Sequence, residues 1–105
     1  MTLDEITLAD FAPCVGQKFS VNLPDPAPQA PSLVFELSEA RPSARPARPG
    51  KRQSFSLRFR TPPGWECRQG TYALGHPTLG ELAIFLVPVG RDATGMELEA
   101  VFNFA

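Results

Sequence analysis

Thr71-Tyr-Ala-Leu-Gly-His-Pro-Thr-Leu-Gly-Glu-Leu-Ala-Ile-Phe-Leu-Val-Pro-Val-Gly90 reads as a β-hairpin. Tyr72 and Leu74 alternate with small residues, as a half-buried strand requires. His76 to Gly80 is a turn: Pro77 fixes φ early in it, and Gly80 accepts the positive φ that closes it. Glu81 to Val89 is the longest apolar strand candidate of the chain. Leu82, Ile84 and Leu86 share one face; Ala83, Phe85, Val87 and Val89 share the other. Apolar residues on both faces predict burial on both. One face meets the core, and the other needs the N-terminal helix, a loop or another subunit. Pro88 lacks a donor, so a bulge or an edge is expected there.

Working outward, the last strand puts Met96, Leu98, Ala100, Phe102 and Phe104 inward and Glu97, Glu99 and Asn103 outward. Gln53 to Arg60 is the cleanest alternation: Phe55, Leu57 and Phe59 against Ser54, Ser56, Arg58 and Arg60. Lys18 to Leu23 and Leu33 to Ser38 supply two more strands. The segment 24–31 is too rich in proline to pair inside a sheet. Repeated Arg-Pro over 40–52 predicts a mobile, extended loop. Near the N-terminus, Thr7 is an N-cap with Asp10 as its acidic partner, and Ile6 and Phe11 form a hydrophobic staple. Pro13 and Gly16 keep this helix short, within 7–16.

The chain has 105 residues, enough for one domain with one core, spanning 1–105. Twelve prolines and eight glycines favour short strands and turns over long helices, and eight phenylalanines can fill an interior. The expected fold is all-β with one short N-terminal helix: a small antiparallel six-stranded barrel or curled sandwich, mostly in meander order. A barrel needs about eight strands before its interior admits a small ligand, so no small-molecule substrate or cofactor is expected.

Net charge is −1, which gives no global field for nucleic acid or an anionic membrane. No apolar run approaches the roughly 20 residues of a membrane span, and the N-terminus lacks the features of a secretory signal. The expected location is cytoplasmic. Cys14 and Cys67 are read as reduced, partly buried thiols, and with one histidine they are too few for a closed zinc shell.

Candidate functional residues are few. Trp65, in the loop 61–70, is either an interface anchor or a lid over the core. Phe85 and Val87 belong to the second apolar face, and Arg45 and Arg48 to the Arg-Pro loop; with Trp65 they are the residues expected to bind a partner. Nucleic-acid binding through Arg45, Arg48, Lys51, Arg52, Arg58 and Arg60 is the alternative. Stacking platforms, however, need aromatic and basic groups on one exposed surface, and alternation separates them here. A weaker alternative is an enzyme using His76 as base with Glu81 across the hairpin. Glu97 and Glu99, about 7 Å apart by strand rise, are ordinary solvent-facing carboxylates. No Ser-His-Asp, HExxH, P-loop or GxGxxG pattern is present, and the chain is expected not to be an enzyme.

Leu8-Ala-Asp-Phe11 with Val15-Gly16, Phe55-Ser-Leu-Arg-Phe59, Gly70-Thr-Tyr-Ala-Leu-Gly-His-Pro-Thr-Leu-Gly80, and Leu86-Val-Pro-Val-Gly90 with Met96 to Asn103 span nearly the whole chain. Together they resemble a family of small bacterial proteins of unknown function, with the pattern LADF…GTYxLxHPxLG…LVPVG. Such proteins look like companions of phage-tail-collar-type fibre proteins. The resemblance implies a module of interaction or assembly, and it brings no catalytic residues. Protein binding or self-association is therefore the expected role.

Overall fold

The computed structural model describes residues 5–22 and 33–104. The proline-rich connector 24–31, and Leu23 at the end of the first expected strand, lie outside the described residues. A short helix α1 (Leu8–Phe11) runs into a 3-10 turn (Ala12–Cys14). Six strands follow: β1 (Lys18–Asn22), β2 (Val34–Pro42), β3 (Phe55–Arg60), β4 (Gly70–His76), β5 (Gly80–Asp92) and β6 (Gly95–Phe102).

The strands close into a barrel in the order β1-β2-β3-β6-β5-β4, antiparallel at every seam. It consists of two three-stranded meanders, β1–β3 and β4–β6. They join where β3 meets β6 and where β1 meets β4. Closure pairs both edges of each meander, which removes the open edges a flat sheet would expose. Only the passage from β3 to β4 departs from meander order.

Period-two alternation fills the interior. Phe19, Phe35, Leu37, Phe55, Leu57, Phe59, Leu74, Ile84, Leu86 and Leu98 are all at or below 1% exposure. Phe19 meets Phe59 edge-on, with ring centroids 5.3 Å apart. Burying each such aromatic removes a large apolar surface from water and is the main source of stability. Among the described residues, no buried side-chain nitrogen or oxygen lacks a hydrogen-bond partner.

The helix plugs one end of this barrel. Thr7 and Asp10 form the expected capping box, with the Thr7 amide donating to Asp10 Oδ2 at 2.7 Å. Ile6 and Phe11 are fully buried, and the Phe11 ring lies 5.8 Å from Phe55 and 6.1 Å from Phe102. The helix exit is tied to β2 through Gly16 N–H to the Leu37 carbonyl and Leu37 N–H to the Gln17 carbonyl.

Two bulges adjust the register. Pro88 is followed by a shift before Gly90, which leaves Val89 as the extra residue of β5. Ser38 is the extra residue of β2, and its hydroxyl donates to the Arg58 carbonyl. That second bulge turns Glu39 outward and lets the strand run on through Ala40–Pro42, into the region expected to be loop. Proline is tolerated at the last position of a strand, where a missing donor breaks little.

Candidate interaction surface

The outer face of β5 is the one expected to need a cover. Among the described residues neither the helix nor a loop covers it: Phe85 is 51% exposed and Val89 45% exposed, with Val87 half-buried. Of the three covers expected for this face, helix, loop or another subunit, the described helix and loops do not supply one. The period-two pattern placed the face correctly; it carried no information on what would lie over it. Val101 extends the patch. Val87 pairs with Glu99 across the β5–β6 ladder, and two residues further along both strands stand Phe85 and Val101. Val101 is the most exposed large apolar residue described, at 70%. The strand reading overlooked it, although alternation places it outward between Glu99 and Asn103.

Next to this face lies a groove of about 550 Å³, between the loop 43–54 and the end of the β3–β6 seam. Its lining includes Arg45 and Arg48 from the loop, the exposed Val101 and half-buried Phe102 and Phe104 from the end of the barrel, and Glu99; Phe55, also at this place, is buried. The loop is fixed at its base. Ser43 N–H donates to the Ser54 carbonyl, and Gln53 Nε2 to the Arg45 carbonyl. Arg52 stacks 4.0 Å above the Phe104 ring and donates to the Ile6 carbonyl, which ties loop to helix. The barrel interior is filled as expected, but the expectation of no ligand-sized cavity did not foresee this groove outside it.

The residues expected to bind a partner therefore fall into two places. Arg45 and Arg48 in the groove adjoin Phe85 and Val87 through Glu99 and Val101. Trp65 lies apart: it is half-buried against the core, beside a shallow hollow that Gly95 and Met96 also line, at the other end of β6. Its partial burial against the core leaves part of the ring at the surface of this hollow, as either expected role requires.

Arg58 and Arg60 are committed to carboxylates. Arg58 lies 3.2 Å from Glu97 and 3.3 Å from Glu99, and Arg60 lies 2.8 Å from Asp92. Across the β3–β6 ladder Arg58 stands opposite Glu99 and Arg60 opposite Glu97, whereas Asp92 reaches Arg60 from the end of β5. The hydrogen bond to Glu97 holds the Arg58 guanidinium more firmly protonated than usual. Asp92 is pulled down to about 2 by the Thr94 hydroxyl and amide and by Arg60. A phosphate backbone would have to displace these carboxylates, which weakens the nucleic-acid reading.

His76 and Glu81 are not brought together as a catalytic pair. The residue opposite His76 is Gly80; Glu81 lies opposite Gly75 and accepts from Asn22 Nδ2. His76 points inward, 4.8 Å from the Phe19 ring. Its Nδ1 accepts the amides of Thr78 and Leu79, so the ring proton sits on Nε2, which meets Gln17 Oε1 at 2.6 Å. With its lone pair occupied by turn amides, the imidazole offers no free base to a substrate.

Cys14 and Cys67 are both buried and both free. Burial raises both thiols, Cys14 with help from the Asp10 carboxylate. Such thiols are poor nucleophiles. Tyr72 is also raised by burial, and its hydroxyl donates to the Arg68 carbonyl. No group of three or more His, Cys, Asp or Glu among the described residues is placed to hold a metal.

A family model described as Domain of unknown function (DUF6916) matches residues 6–102. No curated protein and no solved structure matches the chain.

Proposed function

We propose that this chain, which belongs to the DUF6916 family of domains of unknown function, is a non-catalytic protein-interaction module whose contact surface is the outer face of β5. One observation carries the reading: Phe85, Val89 and Val101 stand exposed on neighbouring strands of a barrel whose own core is complete. Single surface apolar residues are normal, but Phe85, Val87 and Val89 along one strand with Val101 on the next make a cluster of the kind that another protein covers. The chemistry of the strip agrees, since aromatic anchors dominate interface energetics. The resemblance to companions of fibre proteins suggests an assembly as the setting, with the module as its accessory. We place it in the cytoplasm, where Cys14 and Cys67 remain thiols.

The test is the Phe85→Ser/Val101→Ser variant, expressed in the source cell. Both side chains are solvent-facing, so the barrel stays folded. Wild-type chain migrates in a complex on native gels of the lysate, and the variant migrates as the free 11.4 kDa chain. Wild-type chain that already migrates free would refute the reading.

A further inference from the structure

We propose that the groove between the Arg-Pro loop and the β3–β6 seam receives an acidic, aromatic-bearing peptide segment of the partner protein. This rests on the reading above for the nature of the occupant and adds its chemistry. The groove has two unlike sides. Its accessible apolar lining comes from the half-buried Phe102 and Phe104 and the exposed Val101, with Phe55 sealed beneath them in the core. Phe55 and Phe102 stack at 4.7 Å, and Phe104 is held under Arg52. The accessible apolar surface beside these packed rings, chiefly Val101 with parts of Phe102 and Phe104, suits an aromatic or aliphatic side chain. Its wall is cationic. Among the described residues, no carboxylate lies within ion-pair distance of Arg45 or Arg48, whereas Arg41, Arg58, Arg60 and Arg91 each have one. Glu99, the acid at the rim, is already engaged by Arg58. The wall therefore presents guanidinium forks, which favour carboxylates.

Three features select a peptide over a small amphiphile. The groove is open at the surface, whereas small-molecule sites enclose most of their ligand. It runs into the exposed strip through Val101, which belongs to both. Its cationic and apolar groups lie among the same lining residues, which an extended segment bearing acidic side chains on one face and apolar ones on the other would match.

The experiment is fluorescence anisotropy on the full chain with a labelled, end-blocked peptide of alternating glutamate and phenylalanine. Two counter-probes replace glutamate by lysine, or phenylalanine by serine. Dodecanoate serves as the small amphiphile. The wild-type protein is expected to bind the acidic aromatic peptide and neither counter-probe. Arg45→Glu/Arg48→Glu should weaken binding by about tenfold or more, as loss of two charge-assisted contacts implies. Lys18→Glu/Arg68→Glu changes net charge equally at exposed positions elsewhere and should leave binding unchanged. Equal binding of the lysine peptide, or full binding by the Arg45→Glu/Arg48→Glu variant, would overturn the proposal. So would saturable binding of dodecanoate with none of the peptide. Loss of peptide binding with Phe85-dependent assembly intact removes only the groove's occupant. Loss of that assembly with peptide binding intact removes only the outer face.

Discussion

Arg58 stands opposite Glu99 across the β3–β6 ladder, and its Nε lies 3.3 Å from the Glu99 carboxylate. The pair belongs to a surface network in which Arg58 also meets Glu97 and Arg60 meets Asp92. The network sets three carboxylates, Glu97, Glu99 and Asp92, against the two guanidiniums of Arg58 and Arg60, so this seam carries no excess positive charge. It also separates two arginine populations: those of β3, which are paired with acids, and Arg45 and Arg48 of the loop, which line the groove.

Nucleic acid should therefore bind poorly. On a heparin or DNA column at low salt, the wild-type chain is expected to elute without a steep dependence on salt. A protein that neutralises several phosphates shows a log–log slope close to −0.9 per contact on duplex DNA. A slope of that kind from this protein would restore the nucleic-acid reading.

Asp92 supplies a pH signature. Its carboxyl is depressed in the folded state, from an ordinary 3.8 to about 2. A depressed acid stabilises the fold above its unfolded value and loses that contribution as pH falls through its folded value. The stability difference between wild type and Asp92→Asn should thus hold at neutral pH. It should shrink as pH falls from about 4 towards 2, where the wild-type carboxylate becomes protonated. Unfolding curves across that window, taken on both proteins, provide the check.

The neighbouring turn contains the least tolerant glycine. Gly95 has φ +139°, and a Cβ there would overlap the Thr61 carbonyl oxygen. Thr61 in turn accepts from Met96 N–H through its hydroxyl and donates its own amide to the Met96 carbonyl. Gly95→Ala should lower stability by about 2–4 kcal/mol, from a strained backbone conformation and a broken loop contact. Thermal or urea unfolding measures this directly. A neutral substitution would mean that the 61–69 segment is not held against β6 as described.

Phe85 and Leu86 are chain neighbours with opposite environments, 51% and 0% exposed. Leu86→Ala should cost about 2–5 kcal/mol, as for other buried leucines. Phe85→Ala should fall within about 0.5 kcal/mol of wild type, as surface substitutions do. If the two costs are similar, the outer face is packed in the free protein and is no contact surface.

Much of this fold is legible in the sequence because period two is a strong signal. Phe55, Leu57 and Phe59 alternate cleanly, and each was placed inside. Pro88 announced a bulge, since a missing donor cannot serve the ladder. Thr7 with Asp10 announced the helix start. Ser38 gave no such warning: its bulge is a register event set by the partner strand, and no local propensity encodes it. The groove was illegible for a related reason. Arg45 and Phe104 are far apart in sequence, and only barrel closure with the Arg52 anchor brings their segments together. For Phe85 the pattern marks a face in need of cover, but hydrophobicity reports what a residue avoids and not which of helix, loop or another subunit supplies the cover.

The buried thiols offer a check on the core independent of any partner. Cys14 and Cys67 are shielded, and burial keeps both protonated at neutral pH. Native protein should react slowly with a thiol reagent, and both groups should react at once in denaturant. Fast labelling of the native chain would show that an end of the barrel is open.

Photo-crosslinking from position 85 addresses the contact surface most directly. A benzophenone amino acid replaces Phe85 in the source cell, and a second chain carries it at Arg41, an exposed position on β2. The account predicts a discrete protein adduct from position 85, absent from position 41 and lost when Val101→Asp is added. No adduct from position 85, or equal adducts from both positions, would contradict it.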